Sequence, residues 1–271
     1  MTTAMLPHHS LDGRADAPLL VLGPSLGTSM TVWDPYVANF AQHFRVLRYD
    51  LPGHGGTPSA PLAGPQDGSG AGRTTVADLA SHVLDLVDHH GAERFHYIGI
   101  SLGGVLGACL ASRHPQRVAS LALVCSSAHF GPPEPWQERA ALVRREGTAA
   151  LIKAMPDRWF AHAGTADTSF GKDLLRSLAA AESHGYAACC DALATCDLRA
   201  SLAGITAPTL VVGGSHDTAT PLHHARELAE GIPGATLRTV AAGHLAVEDP
   251  EALSRVLNSH LHAAGTNSTP A

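Results

Sequence analysis

Phe95-His-Tyr-Ile-Gly-Ile-Ser-Leu-Gly-Gly-Val-Leu-Gly-Ala108 is the stretch whose reading decides the fold. Its first six residues are aromatic, apolar or small, which suits a buried strand. From Leu102 onward small and aliphatic residues suit a helix lying close to a sheet. Between them Gly99-Ile-Ser-Leu-Gly103 matches G-x-S-x-G, a sharp strand-to-helix turn that presents a serine. Glycines flank such a serine because the backbone packs tightly there and no Cβ fits. The same pattern recurs at Gly23-Pro-Ser-Leu-Gly27, so pattern alone does not choose the nucleophile. Context does. The second copy has a strand before it and a helix after it. The first has Pro24 at the turn, and Thr28-Ser-Met-Thr31 after it reads as a loop. Ser101 is therefore the candidate nucleophile, ahead of Ser25. A glycine-rich turn without chemistry is the competing reading unless a base and an acid follow.

The rest of the chain repeats the strand-then-helix rhythm. Pro18–Gly23, Arg45–Tyr49, Phe95–Ile100, Val118–Cys125, Thr209–Gly213 and Thr236–Val240 read as strands, mostly as continuous apolar runs. Thr75–His90, Leu102–Arg113, Pro221–Glu230 and Pro250–Leu261 are long enough for helices, with Thr75, Thr220 and Asp249 as N-caps. Leu6–Leu11 reads as an antiparallel edge strand. This alternation predicts an α/β fold, a mostly parallel sheet flanked by helices. Residues 127–195 break the rhythm: Trp136–Glu146, Thr148–Met155, Gly171–Ala181 and His184–Leu193 are helical, with no strong strand between them. They predict a helical cap inserted between two halves of a core, residues 1–126 and 196–263. Pro61–Arg73 reads as a mobile surface loop, and 264–271 as a flexible polar tail.

Composition narrows the function. The chain has 271 residues, 45% of them hydrophobic and 15% charged, with a net charge of −6; its mean hydropathy is +0.04. That is a globular composition, long enough to bury a core without disulfide staples. The net negative charge and lack of a basic run argue against nucleic acid. No apolar run approaches the ~18 residues of a membrane span. The first residues lack a signal peptide's basic start and apolar stretch, so the expected location is cytoplasmic. Five cysteines with no C-x-x-C pair read as reduced, mostly buried thiols. Eighteen histidines equal all Lys and Arg together, yet no H-E-x-x-H occurs and their adjacent pairs diverge on a helix. No metal and no other cofactor is expected.

A base and an acid do follow Ser101. Thr209–Asp217 is a strand ending in a loop with a carboxylate, and Thr236–His244 is the next strand, ending in a loop with an imidazole. The order Ser101, Asp217, His244, each just past a strand's C-terminal end, is that of α/β-hydrolases. His244 would take the hydroxyl proton of Ser101, and Asp217 would fix the His244 tautomer. Asp191, Asp197 and Asp249 are weaker candidates for the acid. The first serine copy then finds another task. Its loop would supply the Leu26 N–H as one oxyanion donor, beside the Leu102 N–H following the nucleophile. His54, in Pro52-Gly-His-Gly55, reads as part of the wall near the site.

The chain resembles the 3-oxoadipate enol-lactonases of the α/β-hydrolase superfamily. The resemblance rests on Ser25-Leu-Gly-Thr28 with Val32-Trp-Asp34, on Phe44–Gly55, on Gly99–Gly104, on Arg158-Trp-Phe160, on Gly185–Cys190 and on Ala242–Glu248. Pro24 and Gly243 stand where that family often has Asn and Ala. The resemblance implies opening of a five-membered enol-lactone that bears a carboxylate arm, through Ser101, His244 and Asp217. The expected partner is thus a small carboxylated lactone or ester, with no nucleic acid and no membrane; the sequence sets no oligomeric state. An anionic substrate needs local cations, since the net charge offers no steering. Arg139, Arg144, Arg145 and Arg158 are the candidates, with Ser25, Trp136 and Trp159 as further substrate contacts. Each also has a plain structural reading, as solvated helix face or cap core. A carboxylesterase, another lactonase or a C–C hydrolase would keep the same three residues, and a ligand-binding protein of this fold would keep the scaffold alone.

Overall fold

The structure, a computed structural model, describes residues 6–59, 74–162 and 164–266. The described residues form a seven-stranded sheet: β1 (His9–Asp12), β2 (Leu19–Gly23), β3 (Arg45–Tyr49), β4 (Phe95–Ile100), β5 (Val118–Val124), β6 (Thr209–Gly214) and β7 (Thr236–Val240). Their order is β1-β3-β2-β4-β5-β6-β7. β1 runs antiparallel to β3, and every other neighbouring pair is parallel. β2, β4 and β6 are buried along their whole length, as strands covered on both faces must be. The edge strand begins at His9, later than the expected Leu6–Leu11.

The helices are α1 (Asp34–Phe40), α2 (Val76–His89), α3 (Leu102–Arg113), α4 (Glu134–Glu146), α5 (Met155–Trp159), α6 (Ser169–Ala180), α7 (Ser183–Ala194), α8 (Leu222–Gly231) and α9 (Pro250–Thr266). Thr75 caps α2 through a reciprocal box with Asp78. Asp249 caps α9, its carboxylate accepting from Ala252 N at 3.0 Å. α4 to α7 all lie between β5 and β6 in the chain, and α4 packs on α7.

Three expectations need correction. The segment after Gly27 is not simply a loop: a 3-10 turn over Met30–Trp33 leads into α1, with the Ser29 hydroxyl accepting from Thr31 N. Apolar Val32, Trp33, Tyr36 and Phe40, all buried, drive that turn inward. α9 does not stop at Leu261 but continues to Thr266, because Leu257, Leu261 and Ala264 carry its buried stripe onward. The expected tail therefore begins as helix, and its remainder, 267–271, lies outside the described residues. So does the expected loop Pro61–Arg73. Thr220 does not cap α8. Pro221 occupies that position, with no side-chain cap, and Thr220 turns toward the site described below.

Topology places that site. From β2 the chain moves outward to β3, then returns to β4 on the other side of β2. The loops that leave β2 and β4 therefore diverge and open a crevice at their C-terminal ends. The loops after β2, β4, β6 and β7 all emerge at this end.

Candidate active site

Ser101 follows the last residue of β4 and precedes α3. Its φ of 54° and ψ of −114° lie where L-residues are strained. The turn is tight because α3 starts almost on the sheet. A Cβ on Gly99 would sit 2.3 Å from the carbonyl of Gly103, and one on Gly103 would sit 2.4 Å from the oxygen of Gly23. Both positions therefore require glycine. The Gly103 N–H donates to the Pro24 carbonyl at 3.0 Å, which ties the loop after β2 to the turn.

Three side chains meet here. Ser101 Oγ lies 2.9 Å from His244 Nε2, and His244 Nδ1 lies 2.9 Å from Asp217 Oδ2. All three residues are buried. Ser101 bonded to a ring nitrogen that can accept its proton, with the other ring nitrogen on a carboxylate, is the arrangement that can generate a serine nucleophile. Asp217 Oδ1 accepts from the backbone N–H groups of Ala219 at 2.7 Å and Thr220 at 2.9 Å. The Thr220 hydroxyl donates to Asp217 Oδ2 at 2.6 Å and lies 3.3 Å from His244 Nδ1. Burial alone would raise the pKa of Asp217. Its bonds with His244 and Thr220 outweigh that and hold it down at about 2. The carboxylate is thus ionised at neutral pH. Sequence reasoning missed Thr220 because a threonine before proline and a helix reads as a cap. The short Asp217–Thr220 spacing, an Asx-type turn, is the signal that could have found it.

The other acids weighed as partners are occupied elsewhere. Asp191 pairs with Arg144, Asp197 pairs with Arg199 at 2.6 Å, and Asp249 caps α9. Asp197 sits low, at about 2, because Arg199 bonds it.

The loop after β2 carries the second element. Ser25 and Leu26 are buried beside Ser101. Among the described residues neither the Leu26 nor the Leu102 N–H has an acceptor. The next amide, Gly27 N–H, donates to His54 Nε2 at 3.1 Å, while His54 Nδ1–H donates to Pro52 O at 2.9 Å. His54, expected in the wall near the site, is not among the residues that line the chamber at Ser101; it sits behind the loop and fixes which way the Gly27 amide faces.

A small chamber of about 30 Å³ is lined by Ser25, Leu26, Ser101, His244 and Thr220 on the core side. Phe130, Trp136, Arg139, Met155, Arg158, Trp159 and Tyr186 close it from the cap side. That is the space of about one water. An open groove of about 540 Å³ lies outside and shares Arg139, Met155 and Arg158 with the chamber. These three side chains form the partition between the two spaces.

Of the expected arginines, the structure brings Arg139 and Arg158 to the chamber, along with Trp136 and Trp159. Arg144 is a correction: its guanidinium pairs with Asp191 and does not reach the chamber. Arg145 likewise pairs with Glu146, at 2.7 Å. Arg139 lies over the Trp136 ring, 5.0 Å from its centroid. Among the described residues neither Arg139 nor Arg158 has a carboxylate in ion-pair contact. Burial, and then the like charge of Arg139, push the Arg158 pKa down. The wall thus holds two cations that repel each other; Asp217 attracts Arg158 from a distance and Arg139 bonds Tyr186, but no carboxylate among the described residues pairs with either. All five cysteines are buried and unpaired. Burial pushes the thiols of Cys190 and Cys196 up to about 12, which leaves them unreactive at neutral pH.

Comparison with known proteins agrees with this architecture. A family model described as alpha/beta hydrolase fold matches residues 18–153 and 173–251. The chain is 33% identical to 3-oxoadipate enol-lactonase 2 of Acinetobacter baylyi over 91% of its own length and 90% of that protein. It is 31% identical to a RutD protein of Stutzerimonas stutzeri, whose name assigns it provisionally to carbamate hydrolysis, over 94% of this chain and 96% of that one. Among solved structures, the enol-lactonase of Burkholderia xenovorans superimposes with a TM-score of 0.87 at 36% identity, covering 94% of this chain and 96% of that one. No helix among the described residues is long and apolar enough to cross a membrane.

Proposed function

The chain belongs to the alpha/beta hydrolase family, with 3-oxoadipate enol-lactonases among its relatives, and on that premise we propose that it is a serine hydrolase that opens 3-oxoadipate enol-lactone. The observation that carries the substrate assignment is the pair Arg139 and Arg158: two cations in the wall facing Ser101, neither in ion-pair contact with a carboxylate among the described residues. A substrate carboxylate would relieve their mutual repulsion and hold the lactone ring at a set distance from Ser101.

In this reading Ser101 Oγ attacks the lactone carbonyl while its proton passes to His244 Nε2. The imidazolium so formed is stabilised by ionised Asp217. Negative charge on the former carbonyl oxygen is met by the N–H groups of Leu26 and Leu102. Collapse breaks the ring C–O bond and expels an enolate, which takes the proton held on His244 Nε2 and tautomerises to a ketone, leaving His244 neutral. Water, deprotonated by His244, then attacks the acyl-serine, and the dicarboxylic oxo acid leaves. The enolate is already a good leaving group, so orientation and oxyanion stabilisation do most of the work.

The test is a spectroscopic assay on freshly generated enol-lactone with wild type and Ser101→Ala. Turnover by wild type and none above background by the variant is expected. Hydrolysis of neutral aryl esters with no turnover of the carboxylated lactone would overturn the substrate assignment. The similarity to RutD makes a carbamate the second candidate, read in parallel as ammonia release.

A further inference from the structure

Glu248 ends the 3-10 turn Ala246–Glu248 that follows His244. Its carboxylate has no cation among its partners in the described residues. It accepts only from backbone amides and one hydroxyl, and those donors come from two different parts of the chain. One is the Gly243 N–H, at 2.6 Å, immediately before His244. The others follow α5: Ala161 N–H at 2.9 and 3.2 Å, His162 N–H at 3.2 Å and the Thr165 hydroxyl at 3.3 Å.

The two segments touch directly as well. Leu245 N–H donates to Trp159 O at 2.9 Å. A Cβ on Gly243 would lie 2.7 Å from Trp159 O and 2.8 Å from Ala161 N, so the cap backbone rests on the glycine itself. Arg158 and Trp159, which wall the chamber, immediately precede this contact. His244 immediately follows Gly243.

We propose that Glu248 is a positioning residue that sets the distance between the wall bearing Arg158 and Trp159 and the loop bearing His244, and so determines selectivity for a carboxylated substrate. His244 is also held by Asp217 and Thr220, so its chemistry keeps an independent support. The wall is different. Ala161 and His162 give their N–H groups to no other acceptor among the described residues, so beyond the single Leu245–Trp159 bond and the packing on Gly243, Glu248 is what ties this segment to the histidine loop. Loss of the carboxylate lets Arg158 drift from Ser101 while the Ser101–His244 contact persists. A substrate whose carboxylate must reach Arg158 then loses more than a neutral one. This inference rests on the anionic-substrate reading above for its kinetic consequence, but not for the contact itself.

The experiment compares wild type, Glu248→Gln, Glu248→Asp and Arg158→Met. Two probes share a leaving group, p-nitrophenyl acetate and the p-nitrophenyl monoester of succinic acid. Glu248→Gln keeps the size but puts an NH2 donor where one oxygen accepts. It should lower kcat/KM for the succinyl ester about tenfold more than for the acetyl ester, mainly through KM, and Glu248→Asp should recover part of that. Hydrogen exchange is measured alongside: amides of Ala161, His162 and Gly243 should exchange faster together, with β4 and α3 unchanged. Equal losses on both esters, or full protection of those amides in Glu248→Gln, would overturn the proposal. If wild type shows no preference that Arg158→Met removes, the anionic-substrate reading fails, and Glu248 stands or falls on the exchange result.

Discussion

Replacing His54 by phenylalanine would show how far a residue that never touches the reacting atoms controls the loop proposed to supply an oxyanion donor. The His54 ring is fully buried and stacks on Tyr186, with centroids 5.8 Å apart and 25° between planes. The Pro52 carbonyl can only accept, so Nδ1 carries the proton and Nε2 presents its lone pair to Gly27 N–H. Burial pushes the His54 pKa down, which keeps this neutral form at physiological pH. Phenylalanine preserves ring and stack and deletes both nitrogens. Gly27 N–H is then buried without an acceptor, at a cost of about 1–3 kcal/mol. The loop can recover that by rotating the Leu26–Gly27 peptide, but Leu26 N–H is one peptide upstream and rotates off target. Complete loss of one oxyanion donor is worth ~2.7–4 kcal/mol, or 10²–10³ in kcat. We expect His54→Phe to lower kcat by roughly 10- to 10³-fold between partial and full misalignment. It should lower stability by about 2 kcal/mol, with KM changed far less than kcat. His54→Gln, whose amide oxygen can still accept from Gly27, should recover part of kcat. The assay is steady-state hydrolysis with thermal unfolding measured on the same preparations. A folded His54→Phe protein whose kcat stays within threefold of wild type would refute the reasoning.

Thr220→Val removes the hydroxyl that donates to Asp217 at 2.6 Å while keeping its shape. A hydrogen bond to a charged group is worth about 1.5–3 kcal/mol, so kcat/KM should fall about tenfold or more. Asp217 is held at about 2 in the fold, so it contributes stability above the unfolded carboxylate pKa that is lost as pH falls toward 2. Without Thr220 that loss should begin at higher pH, seen as an acid-unfolding midpoint moved upward; an unmoved midpoint would sink this account. Arg158→Met should raise KM for the carboxylated lactone 10- to 100-fold, about 1.4–2.7 kcal/mol of lost ion pairing, with a smaller change for a neutral ester; equal effects would mean Arg158 only packs. His96 is 7% exposed, with Nδ1 2.8 Å from Ser120 Oγ, and burial lowers its pKa to about 4. The unfolded chain therefore binds the extra proton first as pH falls from 6.5, and up to about 3 kcal/mol of stability disappears between pH 6.5 and 4. His96→Gln should flatten that slope in urea titrations at several pH values, and an identical slope would exclude His96 as the cause.

The parts of the molecule that could be read from sequence are those fixed by local pattern. β2, β4 and β6 are legible because a strand buried on both faces is an unbroken apolar run, and nothing but a strand or core helix tolerates one. The turn at Ser101 is legible because Gly99 and Gly103 answer to contacts within a few residues and to one neighbouring strand. That Ser101, Asp217 and His244 would meet followed from parallel topology: loops after parallel strands of one sheet emerge at one end, here after β4, β6 and β7. α1 was missed because its apolar residues follow a turn too short to show a period, and only their burial against the sheet makes them helical.

The residues that sequence reading misplaced share a different property: their partners are distant in the chain. Arg139 and Arg144 look equivalent on paper. On α4, five positions turn the helix through about 500°, so the two guanidinium groups point about 140° apart. Trp136 lies three positions from Arg139 and therefore on its face, and the cation over that ring confirms the shared direction. A helical wheel anchored on Trp136 would have separated the two arginines. What it could not supply is that α7 presents Asp191 to Arg144, which takes that arginine out of the site. The same holds for His54 with Gly27 and for Glu248 with Ala161: each joins an accepting side chain to a backbone amide. Backbone donors carry no residue identity, so such bonds leave no signature in the partner's sequence. Positioning residues of this kind become visible only when the fold brings the amide to the acceptor. They therefore have to be sought by asking which buried side chains spend all their hydrogen bonds on loops that flank the reacting groups.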